Sequence, residues 1–394
     1  MPARSATPPS IGFRLLLPIL ATALGFGALV LALTEMPLLN LAGNRLAQGR
    51  PLFAGLVLGG LLPVILALSG LALGLLMGSR RRASAGAAIV LLAGAVLALA
   101  YGLGDGAARS LGGLPPAARA SLGPGSWFAA ALLMTGVGLA VRRADRPGLG
   151  WLITLGGILG FGLLANSGAV GALSLAVEYA ARREAVNAAI GEHLILSGAA
   201  LGLAGIGAVL LSLPRRGQGV VAMVLTGVQV IPAVALLGAL VAVTAGLLRA
   251  LPILRDLGLS ALGPAPAIVA IAAYLALPLW RGLALALRSP DHASLEAAEA
   301  MGLSPGQILI RLRLQLGAPI LVGALRVAAV QSLGLATLGA LVGAGGLGRI
   351  VFDGMAQFAP DLILLGAIPV VALSLGTERG LSAVEAAARR RWHA

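Results

Sequence analysis

The chain has 394 residues, 59% of them hydrophobic, a mean hydropathy of +0.99 and a formal net charge of +14; that apolar excess excludes an ordinary soluble domain. Cysteine is absent and histidine occurs only at His193, His292 and His393, which excludes disulfides, thiolate sites and cysteine nucleophiles and leaves imidazoles too scattered for a metal. The positive charge comes from arginines bunched between apolar runs, a membrane-topology pattern rather than a nucleic-acid surface. An aromatic content of 4% disfavours a cage of aromatic rings for a cation in this chain.

A short polar tail, residues 1–10, precedes the first apolar run. A membrane-crossing helix takes about 20 predominantly apolar residues. In chain order the spans read as 15–33, 52–77, 86–103, 127–141 (with its start drawn back to 123–126), 149–171, 193–213, 220–248, 265–287, 320–342 and 362–375. Alternate connections carry the arginine clusters: Arg80, Arg81 and Arg82; Arg142, Arg143 and Arg146; Arg215 and Arg216; Arg288, Arg311 and Arg313; and Arg389, Arg390 and Arg391. The other connections mix signs, as in Glu35 with Arg45 and Arg50, Asp105 with Arg109 and Arg119, or Glu178, Glu184 and Glu192 with Arg182 and Arg183. The excess of positive charge on cytoplasmic loops then places both termini in the cytoplasm.

The polar insert at 294–319 separates two apolar spans, yet it is rich in helix formers. Ser294 reads as a helix cap with Glu296 in the first turn, where the helix dipole favours a carboxylate. Gly302 and the Ser304-Pro305 pair end that helix, and a second short helix over 307–316 carries Arg311 and Arg313. In this insert, Glu296-Ala297-Ala298 followed by Gly302, with Leu312 at an aliphatic position and Leu314 at a leucine position, resembles the EAA loop of permease subunits of binding-protein-dependent ABC importers. Gln315 departs from the proline usual in that pattern. The likeness extends to the osmoprotectant branch (glycine betaine, choline, carnitine) through Gln229-Val230-Ile231-Pro232, Ala235-Leu236-Leu237-Gly238, Tyr274-Leu275-Ala276-Leu277-Pro278 and Gly343-Ala344-Gly345-Gly346-Leu347-Gly348. It covers roughly residues 193–375, about half the chain, and is closest to the YehY-like variant with an extra N-terminal membrane block.

Several signals have plain structural readings. The 57 glycines chiefly let helices approach one another closely in lipid. The 343–348 run lacks the strand-before, helix-after context of a nucleotide loop and reads as a flexible re-entry on the outer side, with Gly345 and Gly346 as gate candidates. Arg326 is a charge inside a span and so a functional candidate, although snorkelling or structural pairing is the simpler account. Gln229, Gln331 and Asn166 are polar groups within spans. Pro232, Pro278 and Pro369 interrupt helices and free backbone groups that neighbours or water must satisfy. No nucleophile–base pair is evident, so an enzyme is not expected.

The expected fold class is therefore all-α, a polytopic helical membrane protein of about ten transmembrane helices. The resemblance adds a type I ABC importer permease (MetI-like) fold in the C-terminal half. The expected organisation is an N-terminal membrane block at 1–174, a periplasmic connector at 175–192, a permease core at 193–376 with the EAA loop at 294–319, and a basic cytoplasmic tail at 377–394. The resemblance implies an ATPase-coupling loop of Glu296, Ala297, Ala298, Gly302, Leu312 and Leu314. Gln229, Pro232, Pro278, Arg326, Gln331, Gly345 and Gly346 are the pathway or gate candidates. No Walker A sequence is present, so no cofactor is expected in this chain; ATP and Mg belong to a partner ATPase. The implied partners are an ABC ATPase dimer, a second permease subunit, a periplasmic or lipid-anchored substrate-binding protein and the lipid bilayer, with no nucleic acid and no metal. The implied location is the bacterial inner membrane. The alternatives are an importer permease for another small solute, or an ion-coupled secondary transporter, which the lack of a carboxylate near any span centre disfavours.

Overall fold

A computed structural model describes residues 11–44, 47–78, 81–146, 148–214, 216–256 and 258–392. The 1–10 tail, Arg45, Arg80, Arg215 and His393 lie outside the described residues. The chain divides into two compact units, Met1–Ala181 and Arg182–Ala394.

In the first unit, α1 (Ile11–Thr34) is followed by strands β1 (Leu39–Ala42) and β2 (Arg50–Leu52) and by helices α2 (Ala54–Val57), α3 (Leu61–Gly78) and α4 (Arg82–Leu111). Then come β3 (Arg119–Leu122), α5 (Pro124–Ala144), α6 (Leu149–Asn166) and α7 (Ser174–Ala181). Helix α4 buries Ala85, Ala88, Leu92, Ala95 and Leu99 in one core with Ile65 and Ala72 of α3 and Ala129 and Leu133 of α5. Small residues set the closest approaches: a Cβ on Gly106 would lie 2.5 Å from the Val57 carbonyl oxygen, and one on Gly125 2.6 Å from that of Ala32.

Two features of this unit differ from the expected all-helical run. A small antiparallel sheet, ordered β2-β1-β3, pairs Leu39 with Leu52 and with Leu122. The span expected at 52–77 starts at Leu61 instead, because Gly59, at φ +50°, turns the chain between α2 and α3. The fifth span ends at Asn166 rather than 171, ahead of Gly168 at φ +78°.

The second unit opens with α8 (Arg183–Ser212), which takes in the last ten residues of the connector expected at 175–192. It continues through α9 (Gln218–Val230), α10 (Ala233–Ala250), α11 (Ile253–Asp256) and α12 (Pro264–Leu287) to α13 (His292–Ala300) and α14 (Pro305–Ile308). A π-turn (Leu309–Arg313) leads into α15 (Leu314–Ala336), a 3-10 turn (Thr337–Val342), α16 (Leu347–Ala356) and α17 (Pro360–Trp392). Helix α12 buries twelve residues, of which Ala267, Ala270, Ile271 and Leu275 share a core with Leu196 and Ala200 of α8 and Ala328 and Ala336 of α15.

The span expected at 220–248 is two helices. Pro232, at φ −57° and ψ 134°, leaves the helical region and ends α9 after 13 residues. The tail expected at 377–394 is not separate either, since α17 runs 33 residues through an Ala/Glu/Arg-rich segment whose Glu385–Arg389 pair at 2.6 Å supports the helix at i,i+4. Among the described residues, nine helices are long and apolar enough to cross a membrane; in α1 the segment Thr22–Thr34 is a shorter apolar helix. Helix α6 has no buried residue and exposes Leu152, Ile158 and Leu159, which suits a lipid-facing helix.

Candidate functional site

The polar insert forms a helical hairpin. Its first helix is capped by Asp291, whose carboxylate accepts the Ser294 N–H at 2.9 Å. Ser294, expected to be the cap, is thus a first-turn donor, because Asp291 supplies a charged acceptor three residues earlier. Hydrogen bonds from the Ser294 side chain and N–H hold the Asp291 carboxyl below the ordinary carboxylate range. Glu296 is exposed, with Oε1 3.1 Å from His292 Nδ1. Ala297 is exposed and Ala298 is buried.

Gly302 turns the hairpin at φ +74°, and among the described residues no atom beyond its chain neighbours lies within 4 Å of where a Cβ would stand. Ser304 and Gln307 then form a reciprocal capping box with Pro305 in the first turn. The second helix does not stop near 316 as expected: Pro305–Val342 is a single helical run of 38 residues. No proline intervenes before Pro319, so Gln315 keeps its N–H and nothing breaks the run. Leu312 lies in the π-turn and Leu314 begins α15, both half-buried. Met301, Leu309 and Ile310 are exposed, giving an otherwise polar hairpin an apolar surface.

The pathway and gate candidates fall at separate places. Pro278 has no N–H for the Tyr274 carbonyl one turn back, and Gln229 Nε2 donates to that oxygen at 2.6 Å. The Tyr274 hydroxyl in turn donates to the Ile231 carbonyl beside Pro232. Gln229, Pro232 and Pro278 thereby meet where α9 gives way to α10. Arg326 is paired rather than snorkelling: its Nη1 lies 2.7 Å from Glu378 Oε1 and its Nη2 3.4 Å from Glu385 Oε2, both on α17. Gln331 is half-buried on α15, away from these groups in sequence, and Asn166 is exposed at the end of α6.

The 343–348 run is not a loose re-entry. Glu192 Oε2 accepts the Gly346 N–H at 2.8 Å, and a Cβ on Gly345 would sit 2.5 Å from the same oxygen. Gly343, Gly345 and Gly346 all have positive φ, which only glycine adopts at low cost. His193, fully buried, packs on Gly346 and meets the Leu333 carbonyl through Nε2 at 3.0 Å. Sequence reasoning gave no role here to Glu192, His193 or Asp291 and read Arg313 only as a loop charge; the Glu192-His193 pair heading an apolar run was the visible signal for the first two.

Membrane-length apolar helices and one ordered polar hairpin between two of them define a multi-pass helical membrane protein; no group of potential metal ligands lies among the described residues. Residues 197–390 match the family model described as binding-protein-dependent transport system inner membrane component, and residues 17–176 match ABC transporter permease YehY, N-terminal domain. The chain is 36% identical over 31% of its length to carnitine transport permease protein OpuCB of Listeria monocytogenes, spanning 56% of that relative. It is 30% identical over 50% of its length to choline transport system permease protein OpuBD of Bacillus subtilis strain 168, spanning 84% of it. A solved structure of the MetNI methionine ABC transporter in an inward-facing conformation is similar over 50% of this chain and 93% of that one, at 23% identity and a TM-score of 0.42. The chain belongs to the binding-protein-dependent ABC importer permeases, with osmoprotectant permeases among its relatives and a YehY-type N-terminal domain ahead of the permease unit.

Proposed function

We propose that this permease forms the path for a small osmoprotectant, such as glycine betaine or another quaternary amine, and takes its drive from a separate ATPase dimer. Coupling runs through the hairpin from Asp291 to Arg313, with Glu296, Ala297, Ala298, Gly302, Leu312 and Leu314 as its working residues. A second permease subunit completes the path, and a periplasmic or lipid-anchored binding protein delivers the solute. The hairpin and both termini face the cytoplasm of a bacterial inner-membrane protein. The relatives named for carnitine and choline transport support the substrate class.

The observation that carries the coupling role is the open turn at Gly302. Gly302 at the hairpin tip has positive φ and is exposed, among the described residues none beyond its chain neighbours lies within 4 Å of where its Cβ would stand, and Met301 beside it is 73% exposed. Gly302→Asp introduces no internal clash, and the left-handed backbone costs a non-glycine residue only about 1–2 kcal/mol, less for aspartate. A carboxylate forced into a largely desolvated contact costs several kcal/mol, and about 1.4 kcal/mol is already tenfold in an association constant. Gly302→Asp is therefore expected to insert normally while abolishing uptake and the stimulation of ATP hydrolysis by loaded binding protein in reconstituted vesicles. Full stimulation in this variant would make the hairpin an ordinary connector.

A further inference from the structure

The two legs of the hairpin differ in how they are held. Past the π-turn, α15 lies tight against α12: a Cβ on Gly317 would stand 2.6 Å from the Ala286 carbonyl oxygen, and one on Gly282 2.2 Å from the Ala324 Cβ. No side chain longer than a methyl separates the helices at either point, so the two helices are packed almost backbone to backbone there. Before the π-turn, most of the residues from 291 to 308 are exposed, and only Ala298 and Ile308 among them are buried, Ile308 at the edge of the turn. The boundary between the fixed and the free part is Leu309–Arg313 itself.

That boundary is also where the helical ladder widens. The Leu314 N–H bonds to the Leu309 carbonyl, five residues back rather than four. A π-turn inside an α-helix amounts to one extra residue, and such turns recur at functional sites because they accommodate a change of register. One side chain bridges this turn to the fixed part. Arg313 Nη1 donates to the carbonyl of Leu287, the last residue of α12, at 2.5 Å. Helix C-terminal carbonyls have no intrahelical donors, and a guanidinium there also meets the negative end of the dipole.

We propose that Arg313 is a positioning residue for coupling: by bonding to the end of α12 it pins the π-turn as the joint about which the hairpin tilts relative to the α12–α15 pair. This rests on the coupling role of the hairpin. The joint sets the hairpin's angle, so losing the pin leaves the hairpin folded but poorly aimed. Arg313→Lys keeps a cation able to reach the carbonyl, whereas Arg313→Met keeps only the apolar stem.

The absence of cysteine allows a direct test in the full-length chain. Spin labels at Met301→Cys and Val327→Cys, both exposed positions, report the hairpin-to-α15 distance in detergent without any partner. Arg313→Met is expected to broaden that distance distribution, Arg313→Lys to keep it narrow, and deletion of Arg311, which removes the extra residue of the π-turn, to shift it to a single new distance. In reconstituted importer, Arg313→Met should lower stimulation by loaded binding protein on the order of tenfold with basal hydrolysis retained, and Arg313→Lys should recover most of it. An unchanged distance distribution in Arg313→Met overturns the joint. Broadened distances combined with intact stimulation in Gly302→Asp would overturn the coupling role and leave the joint standing.

Discussion

Gln229 Nε2 donates to the Tyr274 carbonyl across 2.6 Å, and that oxygen is the acceptor Pro278 leaves without its helical N–H. The side chain of α9 thus completes the backbone of α12, while the Tyr274 hydroxyl returns a bond to Ile231 at the break before Pro232. Gln229→Leu is expected to destabilise the chain by about 1–3 kcal/mol, the cost of an unsatisfied buried carbonyl. Pro278→Ala restores a backbone donor one turn on, so in that background the same change should cost at least about 1 kcal/mol less. Thermal unfolding of the four variants in detergent measures both numbers; strictly additive penalties would show that Gln229 is not replacing the lost bond.

Arg326 joins α15 to α17 through two carboxylates, and the pairs differ. The Glu378 contact is a 2.7 Å hydrogen bond, whereas Glu385 lies at 3.4 Å and is shared with Arg389 at 2.6 Å. Arg326→Met should cost about 1–3 kcal/mol, since Glu385 keeps its second partner and Glu378 is 43% exposed. A double-mutant cycle with Glu378→Gln is expected to give a coupling of about 0.5–3 kcal/mol, with a smaller value for Glu385→Gln. A larger coupling to Glu385 would mean that burial, not bond length, decides the pairing.

How much of this was legible in the sequence follows from the range of each interaction. The hairpin was legible because Gly302 and Ser304-Pro305 interrupt a polar helical stretch locally, and the structure puts the turn there. Its cap was misplaced by three residues because Asp291 and Ser294 are both good cap residues and only the geometry chooses between them. The break at Pro232 was visible as a proline, but apolar composition on both sides reads as one long run. The sheet was not readable, since strands of three and four residues are too short to show alternation. The Glu192–Gly346 bond joins positions 154 residues apart, and Arg313 reaches Leu287 across 26; no local pattern announces either.

Asp291 provides a pH test of the hairpin's first helix. Its carboxyl is held below the ordinary range by the Ser294 side-chain and backbone hydrogen bonds. A depressed pKa contributes stability that is fully present above the unfolded value, about 3.9 for aspartate, and is lost as pH falls through the folded value. Amide exchange of Ser294 and Leu295, corrected for intrinsic rates, should therefore accelerate only below about pH 4. Asp291→Asn keeps an acceptor and should remove that acid response, while Asp291→Ala should speed exchange several-fold across the whole range. The same acid response in Asp291→Asn would assign it to another group.

The division between Ala181 and Arg182 leads to the last prediction. Arg182–Ala394 contains its own core, built from Leu196, Ala200, Ala267, Ile271, Leu275, Ala328 and Ala336 on α8, α12 and α15. The match to the permease family, residues 197–390, falls wholly within it. The Glu192–Gly346 and Arg326–Glu378 bonds likewise have both partners there. A chain starting at Arg182 thus keeps the buried apolar contacts and the polar bonds that hold the permease unit together. It is expected to insert, purify as a monodisperse species, and unfold within a few degrees of the permease transition in the full-length chain. It should also retain ATPase co-purification through its intact hairpin. If the truncated chain inserts but no longer retains the ATPase, the N-terminal unit is part of the transport core rather than an added membrane block.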